Sequence, residues 1–501
     1  MKPTSTNLNF LTFRCSVVLT CLILPAPVAL SSMQEDDESA VLARIGALTI
    51  TVQEYLERID LTPWPGKDNP GTRDSAKVNA LAALVAEKLL SLQAIEQGIT
   101  TADVTRQELK ALERLLARDE LYKTEVIQKI SVTPDEVAAG LDRYASVITL
   151  NSFIMRSGES ALQLANYLNA RNGALIVPTE GIISHDTITI RMGDLTESHE
   201  KEAYAIDSVN EARAFSASDG QWVVFQLLSV STNVAHANAS VAERTAHVLR
   251  ILRNRKEGNR VSQYLRGIFS QKLEMNPALF HVFADTLRSI ILIDSAAHRE
   301  EGRYGIRDDD VDTTKMRLRA FLATPFITSG KYSVSLEEVV DELKYFSIQF
   351  SSLQRNAFLQ TLNQNLLRIA EAGIVSQEAL DRRMNWHSSV QRELGMWGNA
   401  LQADKLLRHL ADSIGNSLRK EGIVDDTEAL AWQRMNRYLG RLAEKFGVEM
   451  DLAKVKQVNI NPSNIITRRF IGFGGGMMGV PMILKLWDWL KEWEVSKPVP
   501  Q

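Results

Sequence analysis

One nine-residue pattern occurs twice in this chain and limits what either copy can fold into. Gly46-Ala47-Leu48-Thr49-Ile50-Thr51-Val52-Gln53-Glu54 aligns with Gly330-Lys331-Tyr332-Ser333-Val334-Ser335-Leu336-Glu337-Glu338. Each copy has a glycine, two residues, a hydroxyl, a β-branched residue, a second hydroxyl, an apolar residue, and a glutamate three positions after that second hydroxyl. The alternation through Leu48 and Ile50 predicts a short strand. The spacing Thr51 to Glu54 is that of a capping box, so a helix begins there. A longer helix of matching content follows in both copies, over 79–99 (NALAALVAEKLLSLQAIEQGI) and 356–374 (NAFLQTLNQNLLRIAEAGI). Two amphipathic helices share composition cheaply, but glycine, cap and order agree as well. We read an internal repeat.

The remaining pattern is mostly helical. Val78, Leu81, Val85, Leu89, Leu92 and Ile95 recur at three- and four-residue steps, which predicts a helix over 76–97 ended by Gly98. A second helix is expected over 105–129. Thr133-Pro134-Asp135-Glu136 reads as a helix start, with Thr as cap and Pro in the first turn. The Pro/Gly-rich stretch 62–72, which contains Trp64, reads as a loop; the second copy lacks most of it. Between the copies the period changes. Strands are expected over 146–155, 188–190 and 222–230, with a helix over 160–171, which together make a small α+β domain. From Val241 to Glu274 the chain returns to helix. Its six cations, Arg250 to Arg266, read as a solvated face opposite acidic neighbours. The fold class is therefore mainly α and multi-domain, with an inserted α+β domain. The boundaries are a signal at 1–31, a helical module at 32–145, the insert at 146–232, a helical connector at 233–313, a second helical module at 314–465 and a tail at 466–501.

The first 31 residues read as an export signal: Lys2 and Arg14 are the only charges, an apolar run follows from Cys15, Pro25 breaks it, and Ala29-Leu30-Ser31 fits signal-peptidase cleavage after Ser31. The run is too short to span a bilayer. Lipidation at Cys21 is the competing reading, and the apolar residues that continue past Cys21 argue against it. Loss of Lys2 and Arg14 takes the formal charge from −4 to −6, and Cys15 and Cys21 are the chain's two cysteines. The mature chain would hold no thiol, so packing alone must stabilise it. An acidic balance speaks against nucleic acid as a partner. The eight histidines have neither HExxH nor HxH spacing, so no metal is expected. Asp308-Asp309-Asp310 reads as a solvated turn. Gly474-x-Gly476-x-x-Gly479 has the form of a dinucleotide motif, but too little chain follows to build the rest of that unit. No cofactor is called for. The Gly/Trp-rich tail reads as docking on the protein's own core, with peripheral membrane contact or a self-bound, client-like segment as alternatives.

The order of these parts resembles the SurA-type periplasmic chaperones and their relatives among parvulin-type (PpiC-like) peptidyl-prolyl isomerases. The opening 43–56 (ARIGALTITVQEYL) looks like that family's opening, and 86–99 (AEKLLSLQAIEQGI) like its next helix. The resemblance implies a strand-plus-helix module before a parvulin domain, with later helices packing back on the first module. The insert looks like a degenerate parvulin: Met192-Gly193-Asp194-Leu195 resembles its central turn, and 200–206 (EKEAYAI) the short helix after it. Where the family has histidine on the first and last strands, this chain has Ser152 and Val223. Prolyl isomerisation must lower a barrier of roughly 18–20 kcal/mol by binding the twisted amide better than the planar one. A pocket without its polar network would hold proline-containing peptide and catalyse poorly.

The expected function is an exported, ATP-independent chaperone of unfolded envelope or outer-membrane proteins, located in the periplasm of a Gram-negative bacterium, with an inactive isomerase domain. The alternatives are an active isomerase whose groups are aligned differently, and a structural envelope protein holding one folded partner. Candidate client contacts are Trp64, Trp222, Tyr345 and Phe346; for Trp64, Tyr345 and Phe346, core packing is the competing reading. Mass spectrometry of the exported protein should give a mature chain beginning at Ser32; a lipid-modified chain beginning at Cys21 would refute that cleavage.

Overall fold

The structure, a computed structural model, describes residues 39–99, 103–170, 180–217, 220–269, 272–346, 348–421, 427–466 and 469–496. The export segment, with Ser31 and Cys21, lies outside them. In chain order come β1 (Val41–Ile45), β2 (Leu48–Thr51), α1 (Val52–Ile59), α2 (Arg73–Glu96), α3 (Asp103–Glu125) and α4 (Pro134–Tyr144). The insert follows with β3 (Ser146–Met155), α5 (Gly158–Ala170), β4 (Ile182–Ile190), α6 (Glu197–Tyr204), β5 (Ala212–Ser216) and β6 (Trp222–Thr232). Then come α7 (Val241–Ile268), α8 (Pro277–Ile293), α9 (Asp308–Arg317), β7 (Pro325–Ser329), β8 (Tyr332–Ser335), α10 (Leu336–Glu342) and α11 (Arg355–Asp381). The chain ends with α12 (Ser388–Lys420), α13 (Thr427–Phe446), β9 (Val448–Met450) and α14 (Trp489–Ser496). The molecule is mainly helical, with small separate sheets. It divides into two compact units. One holds the described residues up to Leu90, Leu410–Ile465 and those from Met482; the other holds Ser91–His409 and Ile466–Pro481.

The two copies of the sequence pattern adopt the same local structure. Gly46 and Gly330 sit at φ 54° and 57°, each opening a two-residue hairpin loop where a left-handed residue is needed. Both hairpins slip register at the same place, between Val41 and Ala43 and between Pro325 and Ile327. The backbone N–H of Val52 donates to Ala40 O at 2.9 Å, and that of Leu336 to Thr324 O at 3.1 Å. Thr51 and Ser335 cap the next helices, accepting from the N–H groups of Glu54 and Glu338. In each copy the first hairpin strand is central in a three-stranded sheet. For β1 the third strand is β9, about 400 residues downstream; for β7 it is the short strand Glu274–Met275, about 50 residues upstream. Even the exits match: Asp451 N–H donates to Leu42 O and Asn276 N–H to Phe326 O, both at 2.9 Å.

In the first unit α2 is buried on every side from Ala80 to Leu90. Its 24 residues are long and apolar enough to cross a membrane, yet they lie inside the protein. The charges it buries are paired. Arg58 of α1 meets Glu87 of α2 through two bonds of 2.8 and 2.7 Å, with both side chains at 1% exposure or less. Lys88 meets Glu54 at 2.7 Å. The loop after α1 is also internal: Lys67 donates to the carbonyls of Ile59 and Thr62, and Trp64 donates its indole N–H to Ala76 O at 2.9 Å. Burial holds the Lys67 ammonium below the ordinary lysine pKa, against the pull of Asp60. The tail docks here. Trp489 is fully buried and donates to Ala82 O at 3.2 Å, Trp487 meets Trp64 edge-on at 5.1 Å, and α14 packs on α13.

In the second unit a core of α8, α10, α11 and the β7–β8 hairpin contains Phe283, Phe326, Phe350 and Phe358. One expectation needs correction here. Asp308-Asp309-Asp310 is not a solvated turn but the first turn of α9, and Asp310 is buried. His298 explains why. Its Nδ1 lies 2.6 Å from the Asp294 carbonyl oxygen and its Nε2 2.9 Å from Asp310 Oδ2. Both partners are acceptors, an arrangement that favours hydrogen on both ring nitrogens. Burial opposes the resulting charge, but the hydrogen bonds to Asp294 and Asp310 outweigh it and hold the pKa above the usual histidine value.

Glu87→Ala leaves the Arg58 guanidinium buried without its partner and should destabilise the first unit by about 3–5 kcal/mol in urea unfolding. Thr51→Ala and Ser335→Ala should each cost about 1 kcal/mol, since each hydroxyl accepts from the N–H three residues on. The contribution of His298 is complete below its unfolded pKa of about 6.5 and is lost as pH rises through the elevated folded value. Thermal unfolding of wild type and His298→Gln across that range should therefore converge on the alkaline side.

Candidate functional site

The insert is a four-stranded antiparallel sheet in the order β4-β3-β6-β5. Its first strand pairs with its last, Ser146 opposite Thr232, so the chain enters and leaves at one point. Helices cover both faces. Alternation along β3 sends Phe153 and Met155 to the face of α5, with Ala161, Leu164 and Leu168. It sends Ile148 and Leu150 to the face of α6, with Val223, Phe225, Leu227 and Ala203.

The α6 face carries both positions where the resemblance implies histidine. Ser152 follows Leu150 by two residues on β3 and lies between Asp186 of β4 and Phe225 of β6. Val223 lies between Ile154 and Phe215 and is 5% exposed. The floor between them is aromatic: Phe215 and Phe225 have ring centroids 5.1 Å apart. A histidine does reach this floor, but from the helix and not from a strand. His199 of α6 meets Phe215 edge-on at 5.4 Å and Phe225 at 6.3 Å, and its Nδ1 lies 2.6 Å from Thr196 Oγ1. Sequence reasoning passed over it because a lone histidine on a short polar helix carries no signal of which face it occupies. Among the described residues, neither Ser152 nor Asp186 makes a side-chain hydrogen bond. Phe225 is 2% exposed and packs in the core under α6, so Phe215, half-buried beside His199, is the ring of this floor that is partly open.

The turn beside this face is braced from below. Gly193 N–H donates to Glu200 Oε2 at 2.7 Å, and Glu200 is fully buried. Arg255 of α7 grips the same carboxylate at 3.0 and 2.5 Å and also donates to Leu195 O at 3.0 Å. The cations of α7 face acidic neighbours elsewhere as well, Lys256 meeting Glu136 and Arg260 meeting Glu125.

The four candidate client contacts are not brought together. Trp64 belongs to the first unit and is 2% exposed, a core residue with its N–H satisfied. Trp222 points away from the Ser152 face. It packs under α5, where a Cβ on Gly158 would lie 2.6 Å from its ring. Phe346 packs partly on the core of the second unit, while Tyr345 in the turn after α10 is 55% exposed. Burial raises the Tyr345 pKa, with nearby carboxylates adding to it.

No family model matches the chain, and no curated protein matches it. Among solved structures it is similar to foldase protein PrsA from Streptococcus pneumoniae, at 16% identity and a TM-score of 0.18 over 44% of this chain and 87% of that one. It is also similar to peptidylprolyl isomerase (PrsA) from Bacillus cereus, at 14% identity and a TM-score of 0.18 over 56% of this chain and 99% of that one.

Arg255→Ala would leave the buried Glu200 carboxylate with Arg143, at 3.7 Å, and the Gly193 N–H. It should destabilise the insert by about 3 kcal/mol or more. Hydrogen exchange at Gly193 and along α6 should report this loss first.

Proposed function

We propose that the protein is an exported, ATP-independent chaperone that holds unfolded envelope polypeptides, with an insert that binds extended segments and does not isomerise proline efficiently. The supporting observation is the α6 face of the insert: an aromatic floor of Phe215 and Phe225 is kept, while Ser152 and the buried Val223 stand where the resembling family has histidines. Isomerisation requires groups that interact more strongly with the twisted amide than with the planar one. Binding alone requires apolar contact, which this face retains. The sequence resemblance of the hairpin-helix opening and the apolar N-terminal segment support placement in the periplasm of a Gram-negative bacterium. Each contact would contribute on the order of 1 kcal/mol, with affinity gathered over several.

The test uses a urea-unfolded outer-membrane β-barrel protein diluted into buffer. Micromolar amounts of this protein should suppress its aggregation without ATP, and absence of any protection would refute the reading. In a protease-coupled assay on a proline tetrapeptide, the rate should stay near the uncatalysed one. Acceleration typical of active parvulins would overturn the inactive half of the proposal.

A further inference from the structure

Residues 469–478 form a small hairpin in the second unit, Arg469 opposite Met478 and Phe470 opposite Met477. Its tip is packed into a groove lined by α3, α7, α11 and α12. Phe473 meets Tyr122 edge-on at 5.2 Å and stacks on Tyr264 at 5.5 Å, in a cluster with Leu121, Val375 and Ala379. Ile471 and Met478 are buried against Leu116 and Val390. Arg469 bonds Asp119 and reaches both oxygens of Glu393 at 2.7 and 2.6 Å, and Gly472 N–H donates to Asp119 Oδ1 at 3.0 Å.

Several features make this a poor permanent piece of core. The ladder is two residues long, while Phe470 is 75% and Met477 59% exposed. Four glycines stand between Ile471 and Met477, and ordering them costs more backbone entropy than ordering other residues. Phe473 is held at φ 53°, a conformation unfavourable for a bulky side chain. Beneath the tip, Arg118 is 6% exposed and its Nε has no hydrogen-bond partner among the described residues. Past Tyr264 there is a cavity of about 660 Å3, lined also by Arg260, Lys331, Tyr332, Glu378 and Arg382.

We propose that this groove is an exchangeable peptide-binding site occupied by the chain's own hairpin, and that it takes segments presenting an aromatic residue between glycines. The proposal rests on the chaperone reading above and gives it a site. The occupant defines the chemistry: one aromatic ring between Tyr122 and Tyr264, small residues on either side, and a cation toward Asp119 and Glu393. Small neighbours are required because a Cβ at Gly472 would lie 2.2 Å from Tyr122. The tethered hairpin competes at high effective concentration, so an outside segment binds more weakly by the fraction of time the groove is closed.

The test is fluorescence anisotropy of a labelled peptide with the sequence of residues 469–478 against the full chain. Gly472→Ala in the chain expels the resident tip, and that variant should bind the peptide at least tenfold more tightly than the unaltered protein. Phe473→Ala in the chain should act in the same direction and serves if Gly472→Ala fails to fold, as judged by circular dichroism. Phe473→Ala in the peptide, or Tyr122→Ala added to the chain, should abolish the gain. Equal or absent binding by the unaltered chain and both folded variants overturns the proposal. Because the probe is the chain's own segment, the groove is tested whether or not an unfolded client is protected. Protection lost with peptide exchange intact faults the function; protection intact without exchange faults the groove.

Discussion

Two short strands joined by a tight turn are not stable alone in water, and the architecture depends on how each hairpin finds a third strand. The copy at β7–β8 takes Glu274–Met275, which precedes it by about 50 residues, with α8 and α9 between them. The copy at β1–β2 is completed instead by Val448–Met450 from the far end. That single difference obliges the chain to close on itself. Leu410–Ile465 and the described residues from Met482 fold with the N-terminal hairpin, and they include α13 and the tryptophans of the tail. The intervening residues can then be elaborated without disturbing the first core.

The buried charges follow from the same closure. A helix as apolar as α2 would pack anywhere, or enter a membrane, by hydrophobicity alone. Arg58 and Glu87 restrict it, because the desolvation cost of each is offset only when the two meet with both bonds made. Lys67 does the same for the loop after α1, where three carbonyl and indole contacts turn a Pro/Gly-rich stretch into core. His298 with Asp310, and Glu200 with Arg255, play this role in the second unit. Such pairs add little net stability, but each makes one arrangement far better than its neighbours.

The insert and the tail hairpin hold paired aromatic rings by different means. On the sheet, Phe225 is rigid because its strand β6 is paired on both sides, while Phe215 lies on the edge strand β5. At the hairpin, Tyr122 and Tyr264 project from helices and are covered by a segment that carries four glycines and a left-handed phenylalanine. A fixed surface gives low-cost contact and little adaptability. A covered surface trades affinity for control over when it is available.

Local signals in this sequence were legible because they act over three or four residues. The Thr51, Thr133 and Ser335 caps, the left-handed Gly46 and Gly330, and the strand Ser146–Met155 all follow from steric and hydrogen-bonding rules that need no distant partner. The repeat was visible for the same reason, since its cap and turn chemistry is written within nine residues. Burial of Trp64 and Asp310, the face chosen by Trp222 and the approach of His199 to the sheet were not. Each depends on which element arrives from elsewhere, and an indole or a carboxylate has the same local preferences exposed or buried. The sequence by itself determined the secondary elements and their caps. Only the tertiary structure decided that β9 completes β1, that Arg58 finds Glu87, and that the glycine hairpin fills the groove beside Tyr122, because those outcomes rest on contacts between residues far apart in the chain.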